Sequence, residues 1–566
     1  MTTPIRRCGR CDAPALPDQH LPYPYLPDPY RSDLHPTRGL PAMTITRRDL
    51  LRLIGAGTAT AALPGTFSSV VQAAGADPRP VLRIAVQALP ASLEPLEVIS
   101  NIGLRQTTCL FDSPLRRDFK AEAATPGTAK IDPQLATAVT RIDDLTWRMT
   151  LRPGVMLHDG STLSAADVAA TFAPGRIGPD TPWPEGRILF GHLAEVRTVD
   201  ALTVDLVTRN PDPVMPQRLA AYGAWIVGAK AMAAGGPETM RTAPVGAGPY
   251  KLAEFVRDTR LVLSSHDDYW MGRPAAREVR IEVVPEAATR IAGLISGEYD
   301  IVTNLLPDQM PQLDGYDDVE AVAVPLDLVH MLFYDTRRPA VADARIRQAL
   351  NHAIDYDALG RAVWGARFSR PNGLQTPAFG PLYDAGRRHF PFDPARAKAL
   401  LAEAGYDGTP VRMRLISGYY VGAEAAGQII QAMWAQIGVP LELEFVESMK
   451  QALEPGADVR MISAAFRFPD PLGGGVVPAW GPDSAVQKRG FWSSDRFNAG
   501  IAELQAAQDT ADRRRIFQHL LDLFDEEAPG VVLYGVNEVY GKRRPVNWTH
   551  YPLYYLDLRP DNLSFA

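Results

Sequence analysis

A chain of 566 residues is too long for one ordinary core and calls for two or three domains. Its net charge of −7 argues against nucleic acid or an anionic membrane surface as the main partner. A hydrophobic content of 46% with 22% charged residues is that of an ordinary globular protein.

Residues 1–42 carry nine prolines and no periodic apolar run, and read as a disordered or mis-annotated extension, with translation expected to start at Met43. Cys8 and Cys11 are spaced like half of a metal site, but no second Cys or His pair follows at finger distance, so no zinc or redox role is assigned. Residues 43–76 read as a twin-arginine signal peptide. Arg47-Arg48 precede an apolar run from Leu53 to Leu63 that is too short to span a bilayer, and Ala74-Gly75-Ala76 offer small residues for cleavage. No cysteine lies at that junction, so a soluble periplasmic product is expected rather than a lipid-anchored one. Beyond it the only cysteine is Cys109, which excludes an internal disulfide and reads as a buried hydrophobe. The longest later apolar suspect, Leu219 to Ala229, is short and holds two glycines, so no membrane span is expected.

Leu82 to Val86 reads as a first strand, and Asn101 to Asp112 as a helix. Trp147, Met149 and Leu151 alternate with polar residues in the two-residue period of a half-buried strand. Pro153-Gly154 and Asp159-Gly160 make turns, and Ser164 with Asp167 forms the Ser-x-x-acid cap of the next helix. His158-Asp159 reads as a turn rather than a base or metal ligand, because no ligand cluster lies near in sequence. Residues 174–240 are rich in Pro and Gly. Pro244-Val-Gly-Ala-Gly-Pro-Tyr250 lacks the Lys-Ser/Thr of a phosphate loop and reads as a tight turn into a strand. A helix after Pro285-Glu286 ending at Gly297, then a strand at 299–303, makes an α/β crossover unit. The loop Asn304-Leu305 would sit at a strand's C-terminal end, where open sheets bind ligands.

Pro325 and Pro339 flank a short strand through Leu332-Phe333-Tyr334 and mark a boundary. Asp343 caps a helix carrying Ile346, Leu350 and Ile354 on one face. Asp393-Pro394 starts another that Gly405 ends. Val411 to Ile416 and Leu441 to Phe445 read as strands around a helix from Ala423 to Ile437. Residues 495–528 read as a charged, solvated helical region, and strands are expected at 531–534 and 538–540.

The stretch from Thr146 to Val168 has the form TW-x-x-x-LR-x-GV-x-x-HDG-x-x-x-x-A-x-DV. It resembles the signature of the extracellular solute-binding proteins of the dipeptide, oligopeptide and nickel type, family 5, the receptors of ATP-driven importers. The turn at 244–250, Tyr269-Trp270-x-Gly-Arg-Pro274, the helix at 345–355 and Asp557-Leu-Arg559 resemble further landmarks of that family, so the likeness covers residues 80–560. The resemblance implies a two-lobed α/β periplasmic binding protein fold (type II). Lobe I would span 77–325 with a variable subdomain at about 111–240, lobe II 326–529, and 530–566 would return to lobe I. It implies a non-enzymatic receptor that closes on a small organic solute, peptide-like or anionic. Permease and ATPase subunits would be its partners, with no cofactor and a monomeric state. A receptor for a metal chelate such as a nickel complex is one alternative. A secreted hydrolase is the other, although neither G-x-S-x-G nor H-E-x-x-H occurs.

Arg467-Phe-Pro-Asp470-Pro is similar to a family loop that starts with Asp, where that acid meets a peptide's amino terminus. Arg467 facing an ammonium at ~4 Å would cost roughly 4 kcal/mol at an effective dielectric of 20, about a thousandfold in affinity. The arginine that meets a dipeptide's carboxylate is replaced near Ser417 in the same alignment. Arg467 therefore either faces an anionic group of the solute, or turns outward or pairs with Asp470 or another acid. Phe468, Asp470, Trp480, Tyr419, Tyr420, Asn304 and Leu305 complete the expected site, with core packing as the competing role of the apolar ones.

Overall fold

The computed structural model describes residues 77–97, 102–125, 127 and 129–566. The expected signal segment and the Cys8/Cys11 pair lie outside the described residues.

A ten-stranded sheet organises the chain. Its order is Leu441–Val446, Val411–Ile416, Val459–Ala465, Val319–Tyr334, Gly530–Arg543, Ile301–Val302, Val81–Val86, Glu278–Val283, Arg260–Ser265 and Tyr250–Val256. Parallel pairs mark both halves: Val411–Ile416 with Leu441–Val446, and Val81–Val86 with Glu278–Val283. The halves are joined by two long antiparallel strands, Val319–Tyr334 and Gly530–Arg543. A separate four-stranded sheet takes Ala136–Arg141, Thr146–Leu151, Thr203–Thr208 and Leu193–Thr198 in that order. It is built from the stretch that reads as a variable subdomain. Separate apolar clusters underlie the halves: Leu82, Ile84, Leu263 and Ile281 in one, and Leu332, Leu350, Met413, Ile430 and Trp434 in the other.

Local signals are realised where the physics is local. Ser164 and Asp167 form a reciprocal capping box on helix Ala165–Thr171, the Ser164 N–H donating to Asp167 Oδ2 at 2.8 Å. Asp343 accepts from the Arg345 N–H at 2.8 Å at the start of helix Ala344–His352. Gly297, with φ of 79°, closes helix Ala287–Ser296 in the left-handed conformation that glycine adopts without a Cβ penalty.

Three expectations need correction. The strand expected at 332–334 is sixteen residues long and starts at Val319. The two strands expected at 531–534 and 538–540 are one, Gly530–Arg543, because Val319–Tyr334 pairs along its whole length, Gly535 and Asn537 included. The charged region at 495–528 is two helices, Asp495–Ala506 and Thr510–Glu527, whose inner faces bury Phe497, Ile501, Phe517, Leu520 and Phe524. Its charged residues make the solvated face of an amphipathic pair, and the apolar face is the part the reading left out.

Two of the landmarks, Tyr269-Trp270 and Arg559, converge on one carboxylate. Asp112 is fully buried, and its Oδ1 accepts from Arg559 Nε at 3.0 Å and Nη2 at 2.6 Å. Gln134 Nε2 adds a third donor to Oδ1 at 2.9 Å. On Oδ2 it accepts from Tyr269 Oη at 2.9 Å and Trp270 Nε1 at 2.8 Å. The charge is out of water, so these donors must replace its hydration. The spacing of these motifs in sequence thus encodes a fastening rather than a ligand site.

The glycine turn has a comparable cause. The His158 ring donates through Nε2 to the Gly248 carbonyl at 3.0 Å and accepts the Gly246 N–H on Nδ1 at 3.4 Å, while His266 Nδ1 reaches the same Gly248 carbonyl at 3.1 Å. A Cβ on Gly248 would lie 2.4 Å from the Leu110 carbonyl carbon and 2.6 Å from Cys109 O, both rigid backbone. Gly248→Ala should therefore lower stability by about 1–3 kcal/mol, the usual cost of overpacking, measured as a shifted urea midpoint.

Candidate ligand cleft

The cleft is built where the two long strands pass between the halves of the sheet. Their pairing slips between Pro325 and Val329 and again between His330 and Met331. Such irregularities bend a strand and loosen its ladder. They fall on the boundary that Pro325 marks in the sequence.

Glu538, on Gly530–Arg543, organises one side. Its Oε1 accepts from Arg105 Nη2 at 2.6 Å and from the Asn304 N–H at 3.0 Å. The Arg105 guanidinium also lies 5.2 Å from the Tyr554 ring centre. Asn304 sits at φ of 55°, and its carbonyl accepts from Arg290 Nη2 at 2.9 Å. Asn304 therefore stands beside the buried pair, as a loop at the end of Ile301–Val302 should. Leu305 does not. It is buried among Val302, Met310 and Val539 and is a packing residue, because its side chain turns into the core beneath the loop.

Tyr419 and Tyr420 lie on the opposite half. Tyr419 is 42% exposed, and the two rings meet edge to face at 4.7 Å. Tyr420 packs on the His330 ring at 4.9 Å, and His330 lies 5.3 Å from the Tyr534 ring. Burial pushes the His330 pKa from 6.5 down to about 3. The folded protein thus keeps His330 neutral while the unfolded chain takes up a proton below about pH 6.5. Stability is complete above that pH and falls as acid approaches the folded value, by about 2 kcal/mol at pH 5. His330→Phe should flatten the fall in urea midpoint between pH 7 and pH 5.

Arg467 lies on the loop that follows Val459–Ala465, and pairs with an acid that sequence reasoning did not find. Both Nε and Nη2 donate to Glu185, Nη2 to Oε2 at 3.0 Å. Glu185 lies in the first turn of helix Pro184–Phe190, 282 positions away. Burial opposes the Arg467 charge, but the Glu185 carboxylate outweighs it and holds the guanidinium pKa above its ordinary value. Arg467→Ala would thus strand a buried carboxylate. Its melting temperature should therefore fall measurably. The only sequence signal for Glu185 is its place behind Pro184, which marks a helix start and nothing about a partner.

Phe468 is buried, with the Arg218 guanidinium 5.2 Å from its ring centre. Asp470 is taken by Arg513, whose Nη2 donates to both carboxylate oxygens at 2.8 and 2.7 Å. Trp480 is fully buried against Phe524 at 4.8 Å and Trp492 at 5.8 Å. Asp470 and Trp480 are therefore fastening and core residues, not cleft walls, because buried partners already use their polar and apolar surfaces. A cavity of about 510 Å³ lies nearby, lined by His192, Asp212 and Arg218 on one side and Leu472, Val477 and Ile501 on the other. None of the eight sequence-predicted site residues lines it. Among the described residues, no group of three or more His, Cys, Asp or Glu is placed to hold a metal ion, and no helix is long and apolar enough to cross a membrane.

Two halves of one sheet, joined by a pair of long antiparallel strands, define a two-lobed α/β fold. Residues 130–474 match the family of bacterial extracellular solute-binding proteins, family 5, and the chain belongs to that family. It is 26% identical over 437 residues to the dipeptide-binding protein of Escherichia coli, covering 72% of this chain and 81% of that protein. It is also 26% identical over 411 residues to the glutathione-binding protein of Pectobacterium atrosepticum, covering 69% and 77%. Among solved structures, a dipeptide-binding protein from a Pseudoalteromonas species in complex with Met-Leu superposes with a TM-score of 0.75 at 22% identity, over 86% of this chain and all of that one. A Staphylococcus aureus protein in complex with Ni(L-His)2 superposes at 0.69 with 18% identity, again over 86% and 100%. These likenesses show the fold.

Proposed function

We propose that this chain is the soluble receptor of an ATP-driven importer, capturing a small organic solute between lobe I (77–325 and 530–566) and lobe II (326–529) and releasing it unaltered. The observation that carries the reading is the pair of crossing strands with slipped register, Val319–Tyr334 against Gly530–Arg543. These two strands carry the chain from one half of the sheet to the other and back, and such a pair is a natural pivot. A solute would shift the open–closed balance only by its greater affinity for the closed form. Tyr419, Tyr420, Asn304 and the Arg467–Glu185 pair would meet the solute, with Phe468 shaping the loop beneath. Because Glu185 balances the Arg467 charge, neither an anionic end nor a free ammonium is called for. The reading favours a peptide-like or related solute with blocked or uncharged ends.

The reading includes no bond chemistry. It includes export through the Arg47-Arg48 signal, a soluble periplasmic monomer, and permease and ATPase subunits as partners. Mass spectrometry of small molecules released from the purified protein tests it. One solute held in about equal amount and recovered intact supports it. Turnover of the solute, or a protein that neither retains nor is thermally stabilised by any member of a broad metabolite library, refutes it.

A further inference from the structure

The cavity of about 510 Å³ lies at a seam between two pieces of the chain that are far apart in sequence. One wall comes from the segment that holds helix Pro184–Phe190 and runs on to Arg218. The other comes from the loop after Asp470 and from helix Asp495–Ala506. Its size is that of an ordinary small-ligand pocket. The second wall is largely apolar. Leu472, Val477, Ile501 and Ala502 line it, the last two from the helix face that also carries Asn498 and Gln505. Glu185 leaves helix Pro184–Phe190 toward Arg467, whereas Arg187 and Ile188 of that helix line the cavity. The cavity is therefore a place apart from Tyr419, Tyr420 and Asn304, none of which lines it.

The charges on the first wall are unequal. Asp212 is satisfied within the protein. Its Oδ2 accepts from His192 Nε2 at 2.8 Å and Arg218 Nε at 2.9 Å, and its Oδ1 accepts from the Val214 N–H at 3.1 Å. Arg218 balances the Asp212 charge. Burial together with Arg218 holds the His192 pKa below its ordinary value, so that ring is neutral. Asp483 is 65% exposed and engaged by Lys488 at 2.8 Å. Arg187 and Arg209 are left over. Arg187 Nη1 donates to the Pro179 carbonyl at 3.4 Å, but its Nε is out of water with no hydrogen-bond partner, Asp483 Oδ1 standing 3.8 Å away. A withdrawn donor of this kind costs stability until an acceptor reaches it. Arg209 donates to the Gly191 carbonyl and, among the described residues, meets no carboxylate.

We propose that this cavity is a second ligand site, taking a small amphipathic monoanion with its carboxylate at Arg187 and Arg209 and its apolar body along Leu472, Val477, Ile501 and Ala502. A cation there would meet two guanidinium groups. A wholly apolar molecule would leave the Arg187 Nε unpaired. The occupant touches both walls and so fastens the two pieces together. The site stands independently of the receptor reading above.

Octanoate, octanamide and octylammonium share a chain and differ in the head, and calorimetry on the full chain compares them. One equivalent of octanoate should bind with a Kd of about 0.1 mM or tighter. Octanamide should bind at least about tenfold more weakly, and octylammonium more weakly still. Arg187→Met with Arg209→Met should weaken octanoate about tenfold or more and remove its advantage over octanamide. Ala502→Trp, at an exposed helix position on the cavity wall, should fill the space and abolish binding. Tyr419→Ala should leave octanoate affinity as it is. Failure of octanoate to bind at about 5 mM overturns the proposal, as does equal binding of octylammonium or binding that survives Ala502→Trp. Loss of octanoate binding in Tyr419→Ala also overturns it, by placing the acid in the cleft. Solute recovered from the purified protein tests the receptor reading by a separate measurement, so the two can fail independently.

Discussion

Replacing Arg559 by alanine should destabilise the protein by about 3–5 kcal/mol, the loss expected when one partner of a buried ion pair is removed. The guanidinium supplies two of the five donors that hold the fully buried Asp112 carboxylate. It also donates to the Phe111 carbonyl at 3.2 Å and to Asp557 at 2.8 Å. Without it, the fully buried Asp112 keeps only three neutral donors, which costs stability. Arg559→Lys keeps the charge but not the fork, so an intermediate loss is expected. Urea denaturation of the three proteins measures this. An Arg559→Ala midpoint close to that of the unmodified protein would mean that the cluster contributes little.

Two aromatic residues expected in the cleft should part company on mutation. Trp480→Ala should cost about 3–5 kcal/mol, as for other large aromatic truncations in cores. The side chain is fully buried, packed on Phe524 and Trp492, and lies against Gly530 so closely that a Cβ there would meet the indole at 2.5 Å. Tyr419→Ala should leave stability within about 0.5 kcal/mol, because the ring is 42% exposed. Solute retention should fall in the Tyr419 variant and, at temperatures where both remain folded, be kept in the Trp480 variant. Thermal melting paired with solute recovery separates the two effects. The opposite pattern would place Trp480, not Tyr419, at the solute.

Elements governed by neighbours in sequence were legible. A serine three residues before an aspartate, or an aspartate before a proline, makes its hydrogen bond within one turn of helix. The long crossing strands were not legible as such. Gly535 and Asn537 look like a turn, and pairing with Val329 and Pro325 of the long neighbouring strand keeps that stretch extended. In Thr510–Glu527 the run Asp512-Arg-Arg-Arg515 masks the stripe of Phe517, Leu520 and Phe524 that follows. In the cleft the sequence singled out Arg467 by its departure from the resembled loop. Its partner could not be found, since no spacing rule links positions 185 and 467. Asp470 and Trp480 were placed with Arg467 because they are close in sequence, whereas their side chains leave the loop in the other direction.

The position of Gly530–Arg543 in the middle of the sheet has a consequence for synthesis. Its neighbours on either side, Val319–Tyr334 and Ile301–Val302, leave the ribosome some two hundred residues earlier. At ~5–20 residues per second that is about 10–40 s during which two unfinished strand edges wait for the one that joins them. Unpaired edges of this kind recruit other chains. Truncation that removes this strand should therefore be far more damaging than its distance from the cleft suggests.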